Sequence, residues 1–442
     1  ARPNLDRVVD PLHEAARRRP SHPALVAGGR TVGCAELDAA ADRAARRLAA
    51  LGVGRGDRVA TTLPPGHAFA ELLHALPRLG AALVPLDARL PAPELRRRLD
   101  ATGARLTVQE PLRGPEADAE PGARLDPDAV HTVVFTSGTG GAPKPVELTL
   151  RNHLASALGS AWALGVDPDD RWLCPLPVFH VGGLAVLLRS ALYGTTAIVD
   201  ARFDAPRVRA SLESGEATLV SLVATMLARL REAGLMRAPA LRAALLGGGP
   251  VPAGLLEWAA ALGLPVRPTY GMTETASQVA TAPPGELAAV PLPGVELRIA
   301  ADGEILVRGP VVARDALGVD GWLHTGDAGS LDARGRLRVE GRLKELIVTG
   351  GEKVAPAEVE AALLAHPAVA DAGVVGLADA DWGEAVTAFV VLAHGASDAA
   401  LLAHCRARLA RHEVPKRIER VAALPRTATG KLLRDRLAGD TG

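Results

Sequence analysis

The sequence predicts an α/β protein with a large N-terminal domain of parallel sheets flanked by helices and a small α+β C-terminal domain. From Arg58 onward, short apolar strands alternate with helical segments, which is the order of βαβ units on a parallel sheet. Towards the C-terminus the order changes to a helix, two strands and a second helix. A chain of 442 residues also exceeds what one hydrophobic core usually supports. We therefore expect two domains.

Composition favours a small-molecule substrate over a nucleic-acid partner. Lys plus Arg and Asp plus Glu both total 50, so the formal net charge is zero, and no basic block is present. The three cysteines lie far apart and form no CxxC pair, which favours a reducing compartment. No signal peptide and no membrane-spanning apolar run is apparent. We expect a cytoplasmic protein with no membrane span. The sequence does not decide whether it forms a homo-oligomer.

The first elements follow from apolar periodicity and from turn residues. We interpret them as scaffold. In order they are a helix from Val8 to Arg19, a hairpin from Pro23 to Val32 that turns at Gly28-Gly29, a helix from Cys34 to Leu51, a strand from Arg58 to Leu63, a helix from Ala68 to Leu79 and a strand from Ala81 to Leu86.

A Gly-rich loop, residues 136–144, follows the apolar strand Thr132 to Phe135. Hydroxyls, glycines and one lysine after a buried strand supply backbone N–H groups and a mobile cation, which suit a polyphosphate. The loop is neither a Walker-A sequence nor a dinucleotide fingerprint. It predicts a nucleoside triphosphate site, with a plain Gly-rich turn as the alternative. Its candidate ligands are Thr136, Ser137, Gly138, Thr139 and Lys144.

Several later strands end in residues that suit a ligand, as expected at the carboxyl ends of parallel strands. His180 follows the strand Trp172 to Pro177 and precedes a helix from Leu184 to Tyr193, where a lone histidine is more often structural. Three successive glycines let a flat ring lie against the backbone. A second hydroxyl-rich loop runs from Thr269 to Thr275, and its hydroxyls and carboxylate suit phosphate contact and Mg²⁺ coordination. These residues are Gly247, Gly248, Gly249, Thr273 and Glu274.

We place the domain boundary near Gly341, which two strand-like runs flank. This gives an N-terminal domain at 1–342 and a C-terminal domain at 343–442. Asp327 lies before the boundary, between turns. The elements predicted for the small domain are a helix from Pro356 to Leu364, strands from Val369 to Val375 and from Ala385 to Leu392, a helix from Ala399 to Leu409 and then a loop with Lys431.

Five ordered motifs resemble the acyl-adenylate-forming superfamily, which includes acyl-CoA synthetases, luciferases and adenylation domains. They are Thr136 to Lys144, Tyr270 to Glu274, Thr325 to Asp327, Gly341 to Glu345 and Pro425 to Lys431. Chance agreement of all five in order is negligible, and together they span nearly the whole chain. The resemblance implies an N-terminal domain of stacked mixed and parallel sheets with flanking helices, and a small mobile C-terminal domain that carries the catalytic lysine.

Within the superfamily, the segments Pro177 to Leu184 and Tyr270 to Gln278 resemble the o-succinylbenzoate–CoA ligases of menaquinone biosynthesis. The resemblance implies an ATP-dependent acid–thiol ligase. A carboxylate attacks the α-phosphorus of ATP to give an acyl-adenylate and pyrophosphate, and the CoA thiol then displaces AMP. ATP and CoA are the implied co-substrates, Mg²⁺ is the implied cofactor, and o-succinylbenzoate, converted to o-succinylbenzoyl-CoA, is the implied acid.

The resemblance also implies residue roles in the two half-reactions. Lys431 would stabilise the bridging and substrate oxygens, Thr273 would contact the α-phosphate and Glu274 would hold Mg²⁺. Lys344 is the implied hinge between the domains. The ribose ligands would be Asp327 and Arg342, the adenine frame Gly247 to Gly249 with Tyr270 and Gly271, and the CoA channel Gly350, Gly351 and Lys353.

The acyl pocket needs a partner for the second carboxylate of such an acid, because burying an unpaired charge is costly. Arg189 and Ser221 are our candidates, with Gly248 beside the acyl group. His180 would gate the pocket. The alternative for Arg189 is a surface position on its helix.

Two residues depart from the superfamily pattern: Gly140 stands where a second threonine is frequent, and Pro145 replaces the glycine after Lys144. A proline fixes φ and removes an N–H, so the mobility of the loop is in doubt, but we expect ATP use. Other hypotheses stay open. They are another aryl- or fatty-acyl-CoA ligase, an adenylation enzyme that loads a carrier protein, a luciferase-like oxygenase and, from a different class, a non-catalytic ATP-binding regulator.

Overall fold

The structure is a computed structural model that describes residues 7–118, 120–136, 143–426 and 432–439. Packing divides the chain into two compact units. Unit 1 comprises Ala1–Gly249, Ala259–Leu297 and Val307–Leu323, and unit 2 comprises Pro250–Trp258, Arg298–Leu306 and His324–Gly442. Each unit combines helices with sheets, so the predicted α/β class is confirmed.

The helices are α1 (Pro11–Arg18), α2 (Cys34–Ala50), α3 (His67–Arg78), α4 (Ala92–Thr102), α5 (Leu150–Leu164), α6 (Val181–Tyr193), α7 (Ala205–Ser214), α8 (Ala224–Glu232), α9 (Ala253–Ala261), α10 (Pro356–Leu364), α11 (Asp398–Arg406) and α12 (Arg434–Gly439). Local sequence explains several of their ends. Thr149 and Asn152 form a reciprocal capping box at the start of α5. Gly194 ends α6 in the left-handed conformation that favours glycine.

The strands are β1 (Val8–Val9), β2 (Pro23–Ala27), β3 (Arg30–Gly33), β4 (Arg58–Thr61), β5 (Ala82–Pro85), β6 (Leu106–Val108), β7 (Arg124–Leu125), β8 (Val130–Phe135), β9 (Pro145–Thr149), β10 (Arg171–Cys174), β11 (Thr196–Val199), β12 (Leu219–Val223), β13 (Ala243–Gly247), β14 (Val266–Tyr270), β15 (Ala280–Thr281), β16 (Val290–Pro291), β17 (Glu296–Ile299), β18 (Glu304–Arg308), β19 (Leu323–Leu331), β20 (Leu337–Arg342), β21 (Ile347–Thr349), β22 (Glu352–Val354), β23 (Val369–Asp379), β24 (Gly383–Leu392) and β25 (Arg417–Arg420).

Unit 1 is built on two sheets with parallel central strands. The nine-stranded sheet has the order β16-β15-β14-β13-β12-β10-β11-β2-β3, and neighbours from β14 to β2 are parallel. The five-stranded sheet has the order β6-β4-β5-β8-β9, in which β9 runs antiparallel to β8. One buried apolar cluster includes side chains of both sheets and of α2 and α3. The predicted stack of mixed and parallel sheets is therefore confirmed.

Three further sheets are present in the described residues. One pairs β1 with β7, one has the order β17-β18-β19-β20, and one has the order β22-β21-β24-β23 with β25 parallel to β24. Long antiparallel strands β23 and β24 pair along most of their length, and α10 and α11 cover the same apolar core. This is the predicted α+β order of the C-terminal domain. The boundary between residues 342 and 343 stays a prediction. It marks the point about which the C-terminal domain is expected to rotate, whereas the two units are defined by packing.

Three local predictions were wrong in detail. Helix α1 begins at Pro11, not Val8, because Asp10 caps it and a proline is favoured in the first turn. Helix α6 begins at Val181, so Gly183 lies within it, where a Cβ would lie 2.4 Å from the Pro177 carbonyl oxygen. Asp327 lies inside β19 and not between turns.

A buried charge cluster ties α1, α2 and α3 together. The Arg78 side chain lies 2.7 Å from Asp10, 2.5 Å from Asp38 and 2.5 Å from Asp42. Burial alone would lower the pKa of Arg78, but these carboxylates raise it. Near this cluster, burial lowers the pKa of His74 to about 3 and that of His131 to about 4, with Arg78 and His74 respectively adding to the effect. Both imidazoles are therefore neutral in the folded protein.

The lowered pKa values of these two histidines lead us to expect a loss of folding stability in mild acid. The unfolded chain binds a proton at each near pH 6.5, whereas the folded protein does so only near pH 4 or below. Stability is therefore full above pH 6.5 and falls as the pH drops below that value, by about 2–3 kcal/mol in total at pH 5.5. Urea unfolding at pH 7 and pH 5.5 measures the change. An exposed-residue control, His394→Gln, should keep the same pH dependence, and an equal free energy of unfolding at both pH values would contradict the assignment.

Candidate active site

The carboxyl ends of four neighbouring parallel strands, β10, β12, β13 and β14, meet at one edge of the nine-stranded sheet. Ligands of open α/β sheets bind outside such an edge. The segments that follow these ends contain six of the residues predicted for the site in unit 1. They are His180 after β10, Gly248 and Gly249 after β13, and Gly271, Thr273 and Glu274 after β14.

The glycines after β13 lie tightly between the flanking strands. A Cβ on Gly247 would lie 3.0 Å from the Thr269 side chain, which belongs to β14. Gly248 has a φ of +82°, and a Cβ there would lie 3.2 Å from Val223 at the end of β12. The three strand ends therefore approach one another as closely as glycine permits, which fits the predicted planar frame for adenine.

A sharply folded turn carries Thr273 and Glu274. Gly271 at its start approaches the far side so closely that a Cβ there would lie 1.6 Å from the Ser277 carbonyl oxygen. On that far side, Ala276 and Ser277 have φ values of 49° and 103°, which are rare for residues with a side chain. The turn is therefore strained and fixed in shape, which suits groups that must meet a phosphate in a set geometry.

The described ends of the Gly-rich loop lie beside this turn. The Thr136 N–H donates to the Lys144 carbonyl oxygen at 3.0 Å, which closes the base of the loop. Strand β9, which begins at Pro145, contacts the 3-10 turn Thr273–Thr275. The two predicted phosphate motifs thus meet in unit 1. Ser137, Gly138 and Thr139 lie outside the described residues, so their phosphate contacts stay a prediction.

The side chain of Arg189 projects from the buried face of α6. It is 3% exposed, so the alternative of a surface position is wrong. Its Nη2 donates to the Ser156 hydroxyl at 2.9 Å, and its guanidinium lies 5.8 Å from the centre of the Trp172 ring. Trp172 Nε1 in turn donates to the Ser221 hydroxyl at 3.0 Å. The structure therefore brings Arg189 and Ser221 together through an indole.

The charge of Arg189 has no acidic partner in the described part of the chain, where no carboxylate oxygen lies within 4.0 Å of it. Burial lowers its pKa, and the effect of Tyr193 opposes this only partly. A buried guanidinium without a carboxylate costs free energy unless a ligand supplies one. This arrangement can bind an anionic group of a substrate.

His180 occupies the N-cap position of α6, and its ring lies tilted against that of Phe179, with ring centres 4.7 Å apart. The guanidinium of Arg89, itself paired with Asp87 at 2.9 Å, lies 5.9 Å from the Phe179 ring. Burial lowers the pKa of His180, although Asp87 acts in the opposite direction. The imidazole is therefore neutral near pH 7, and its place at the sheet edge agrees with a pocket role; gating stays a prediction.

In unit 2, Asp327 and Arg342 are partners across β19 and β20, with Arg342 Nε 3.1 Å from the carboxylate. Arg342 Nη1 also donates to the Thr325 carbonyl oxygen at 3.2 Å, and the Asp327 N–H donates to the Thr325 hydroxyl at 3.1 Å. The Asp327 carboxylate is thus held by Arg342 of the following motif, and the Asp327 backbone is held by Thr325 of its own motif. The contact with ribose hydroxyls stays a prediction.

The predicted hinge and CoA residues lie in the same unit. Lys344 is exposed in the 3-10 turn Leu343–Glu345, and Gly350 and Gly351 form the turn between β21 and β22 with φ values of 59° and 85°. Lys353 Nζ donates to the Asp302 carbonyl oxygen at 2.5 Å. Neither the hinge nor the CoA role is tested by these contacts.

Lys431 lies outside the described residues, but the residues that follow it are anchored. Leu432 and Leu437 pack in a small apolar cluster with Phe389. Arg434 donates to Glu345 at 2.9 Å and to Glu360 at 2.7 Å. Burial raises the pKa of Glu360, although Arg434 lowers it in part. The catalytic role of Lys431 stays a prediction.

Two residues of this site, Trp172 and Ser156, were not among the predicted ones. Trp172 was predicted only as part of a strand. Ser156 lies four residues after Asn152 on α5, so the two polar residues share one helix face, and that spacing is the signal that could have identified it.

No helix in the described part of the chain is both long and apolar enough to cross a bilayer.

Comparisons with known proteins agree with this geometry. Residues 12–315 match the AMP-binding enzyme family, and residues 358–431 match the AMP-binding enzyme C-terminal domain. A 2-succinylbenzoate–CoA ligase of Geobacillus kaustophilus is 43% identical, with 96% of each chain covered. The o-succinylbenzoate CoA synthetase (MenE) of Bacillus subtilis in complex with the acyl-adenylate intermediate OSB-AMP is 38% identical, with a TM-score of 0.90 and 98% of each chain covered. The same synthetase in complex with ATP and a magnesium ion gives a TM-score of 0.90 at 38% identity, over 98% of this chain and 99% of that one.

A parallel-sheet edge with two phosphate motifs, in a chain with these matches, defines an adenylate-forming enzyme. The chain belongs to the AMP-binding enzyme family, in the branch of the 2-succinylbenzoate–CoA ligases. Both levels of the resemblance stated from the sequence are therefore confirmed.

Gly271 provides a test of the turn geometry. Gly271→Ala should abolish ATP binding, because a Cβ would overlap the Ser277 carbonyl and force the turn apart. Titration calorimetry with ATP measures the loss. Gly54→Ala is the matched control, since a Cβ there meets nothing within 4 Å. Unchanged ATP affinity in Gly271→Ala would show that the turn does not contact the nucleotide.

Proposed function

We propose that the protein is an ATP-dependent 2-succinylbenzoate–CoA ligase. The observation that carries the proposal is the buried guanidinium of Arg189, which has hydroxyl and indole neighbours but no carboxylate within 4.0 Å among the described residues. An aromatic keto-diacid would supply that carboxylate, and its other carboxyl group would be the one that reacts. The relatives named 2-succinylbenzoate–CoA ligase support the same substrate.

In the first half-reaction, the reacting carboxylate attacks the α-phosphorus of ATP and pyrophosphate leaves. Negative charge grows on the phosphoryl oxygens, so positioned donors and cations lower the barrier electrostatically. Thr273 would donate to the α-phosphate from the strained turn, and Lys431 would stabilise the bridging and substrate oxygens. The β- and γ-phosphates would contact Thr136, Ser137, Gly138, Thr139 and Lys144.

Nucleotide recognition would rest on two motifs. In unit 1, Gly247 to Gly249, Tyr270 and Gly271 would frame the adenine. In unit 2, Asp327 would accept from the ribose hydroxyls, and the ion pair with Arg342 would hold that carboxylate ready as an acceptor.

The carboxylate of Glu274 fits Mg²⁺, because the ion prefers oxygen ligands and commonly takes one or two carboxylates together with substrate phosphates. Glu274 is half-buried at the sheet edge, and its backbone carbonyl accepts from the Ala313 N–H at 2.8 Å, which fixes its position. When bound, Mg²⁺ would neutralise charge on the phosphates.

In the second half-reaction, the CoA thiol attacks the acyl carbonyl and AMP leaves. Rotation of the C-terminal domain about Lys344 would withdraw Lys431 and bring Gly350, Gly351 and Lys353 to the site. The neutral imidazole of His180 would gate access to the acyl group.

The buried, unpaired cysteines fit a reducing cytoplasm.

A substrate panel tests the proposed function. Incubation with ATP, Mg²⁺, CoA and 2-succinylbenzoate should give AMP, pyrophosphate and the thioester, whereas benzoate and a medium-chain fatty acid should react far more slowly. Mass spectrometry of the thioester and a pyrophosphate assay report the two steps. Preference for the fatty acid would favour a fatty-acyl-CoA ligase, and release of ADP with orthophosphate would exclude adenylation altogether.

Arg189→Met tests the acyl pocket by separating activity from stability. The KM for 2-succinylbenzoate should rise by about 30- to 1,000-fold, as for loss of a buried charged partner. The melting temperature should stay equal or rise, because an apolar side chain of similar size replaces a buried charge that has no carboxylate partner. Steady-state kinetics and thermal unfolding measure the two effects.

The matched control for that variant is Arg78→Met, which removes a buried arginine that pairs with three carboxylates. It should lower stability by about 3–5 kcal/mol. If Arg189→Met were destabilised to the same degree, or discriminated between diacid and monoacid as the unmodified enzyme does, Arg189 would be a structural residue.

A further inference from the structure

One face of α5 supports the nucleotide turn from inside unit 1. Asn152 Nδ2 donates to the Pro310 and Val312 carbonyl oxygens at 2.8 and 3.0 Å. The N–H of the next residue, Ala313, donates to the Glu274 carbonyl oxygen at 2.8 Å. Helix α5 therefore reaches the turn through the segment after β18.

Ser156, one helical turn further on the same face, contacts the turn directly. Its hydroxyl donates to the Ala276 carbonyl oxygen at 2.7 Å and accepts from Arg189 Nη2 at 2.9 Å. The side chain is buried, at 2% exposure. One hydroxyl thus joins the charged group of the acyl pocket to the backbone of the turn that carries Thr273 and Glu274.

The backbone that Ser156 holds is the strained part of the turn. Ala276 has a φ of 49° and the next residue, Ser277, has a φ of 103°. Such conformations cost about 1–3 kcal/mol each and persist only where surrounding contacts impose them. The hydrogen bond from Ser156 is one of those contacts, and the guanidinium strengthens it, because an O–H that accepts from a cation becomes a better donor.

We infer that Ser156 is a positioning residue through which occupation of the acyl pocket at Arg189 stabilises the nucleotide-binding turn. This inference rests on the proposed function for the identity of the acid. A carboxylate that pairs with the remaining N–H groups of Arg189 fixes the guanidinium, and the fixed guanidinium holds the Ser156 hydroxyl on Ala276. The bound acid then supplies part of the free energy for ordering the turn, which nucleotide binding would otherwise have to supply.

The coupling must be reciprocal, because it is a free energy shared by two binding equilibria. Binding of the acid should raise the affinity for the nucleotide, and binding of the nucleotide should raise the affinity for the acid by the same factor. One buried hydrogen bond makes the factor about fivefold.

The test measures nucleotide affinity by calorimetry with α,β-methylene-ATP, which cannot release pyrophosphate, in the presence and absence of 2-succinylbenzoate. In the unmodified enzyme the acid should raise the affinity about fivefold. In Ser156→Ala the affinity without acid should fall about fivefold, and the acid should no longer raise it. The matched control is Ser190→Ala, which removes a hydroxyl that is 1% exposed and has no hydrogen-bond partner in the described part of the chain; it should behave as the unmodified enzyme.

Ser156→Ala with unchanged nucleotide affinity and an intact effect of the acid would overturn the inference. Loss of affinity in Ser190→Ala to the same degree would also overturn it, since any buried hydroxyl would then have the effect. If the unmodified enzyme forms no thioester from 2-succinylbenzoate, the proposed function fails. The measurement without acid still decides the role of Ser156, because it depends on the turn alone. Far-ultraviolet circular dichroism checks that each variant is folded.

Discussion

The buried charge of Arg189 is the constraint on which the proposed acyl site depends. Arg78, the other arginine with a buried guanidinium discussed above, is surrounded by two carboxylates from α2 and by that of Asp10, the N-cap of α1, so its charge is compensated inside the fold. Arg189 has a hydroxyl and an aromatic ring instead. One charge is thus neutralised by the protein, whereas the other has no carboxylate within 4.0 Å in the described part of the chain. In the proposed function, the free energy that the fold loses at Arg189 is recovered when the acid binds.

The neighbours of Arg189 explain how the fold tolerates this charge. Trp172 offers the face of its ring, which attracts a cation, and is itself fixed by the hydrogen bond to Ser221. Ser156 on α5 is the direct hydrogen-bond acceptor. Because α5 also holds the segment that carries Ala313, a single helix contacts Arg189 of the proposed acyl pocket, the turn that carries Thr273 and Glu274, and the segment behind that turn. That helix follows directly after β9, so the Gly-rich loop and its support are continuous in sequence.

The sequence predicted the architecture well because the elements alternate clearly. The hairpin at Gly28-Gly29, the βαβ order after Arg58 and the strand that ends in Gly247 appear as expected, whereas Thr269 and Tyr270, expected in a loop, end the strand β14. The boundaries that failed depend on short-range capping, as at Asp10, or on a close contact with the backbone of the preceding loop, as between Gly183 and Pro177. Neither effect is visible in hydrophobic periodicity.

The sequence predicted those residues of the site that belong to one local motif. It did not predict the contacts between residues of separate elements. Thr273, Glu274 and Gly271 belong to one short motif that the sequence shows directly. The burial of Arg189 could not be decided from its helix, since periodicity allowed a surface position as well as a buried one. Its contacts with Trp172 and Ser156 join residues of three separate elements, and only the packed structure brings them together.

Arg434, at the start of α12, links that helix to the turn proposed as the hinge. It lies three residues after Lys431 and pairs with Glu345, which directly follows Lys344. Under the proposed mechanism, a change of charge at Glu345 would therefore alter the approach of Lys431 to the nucleotide, although Glu345 itself belongs neither to the proposed nucleotide ligands nor to the proposed acid ligands.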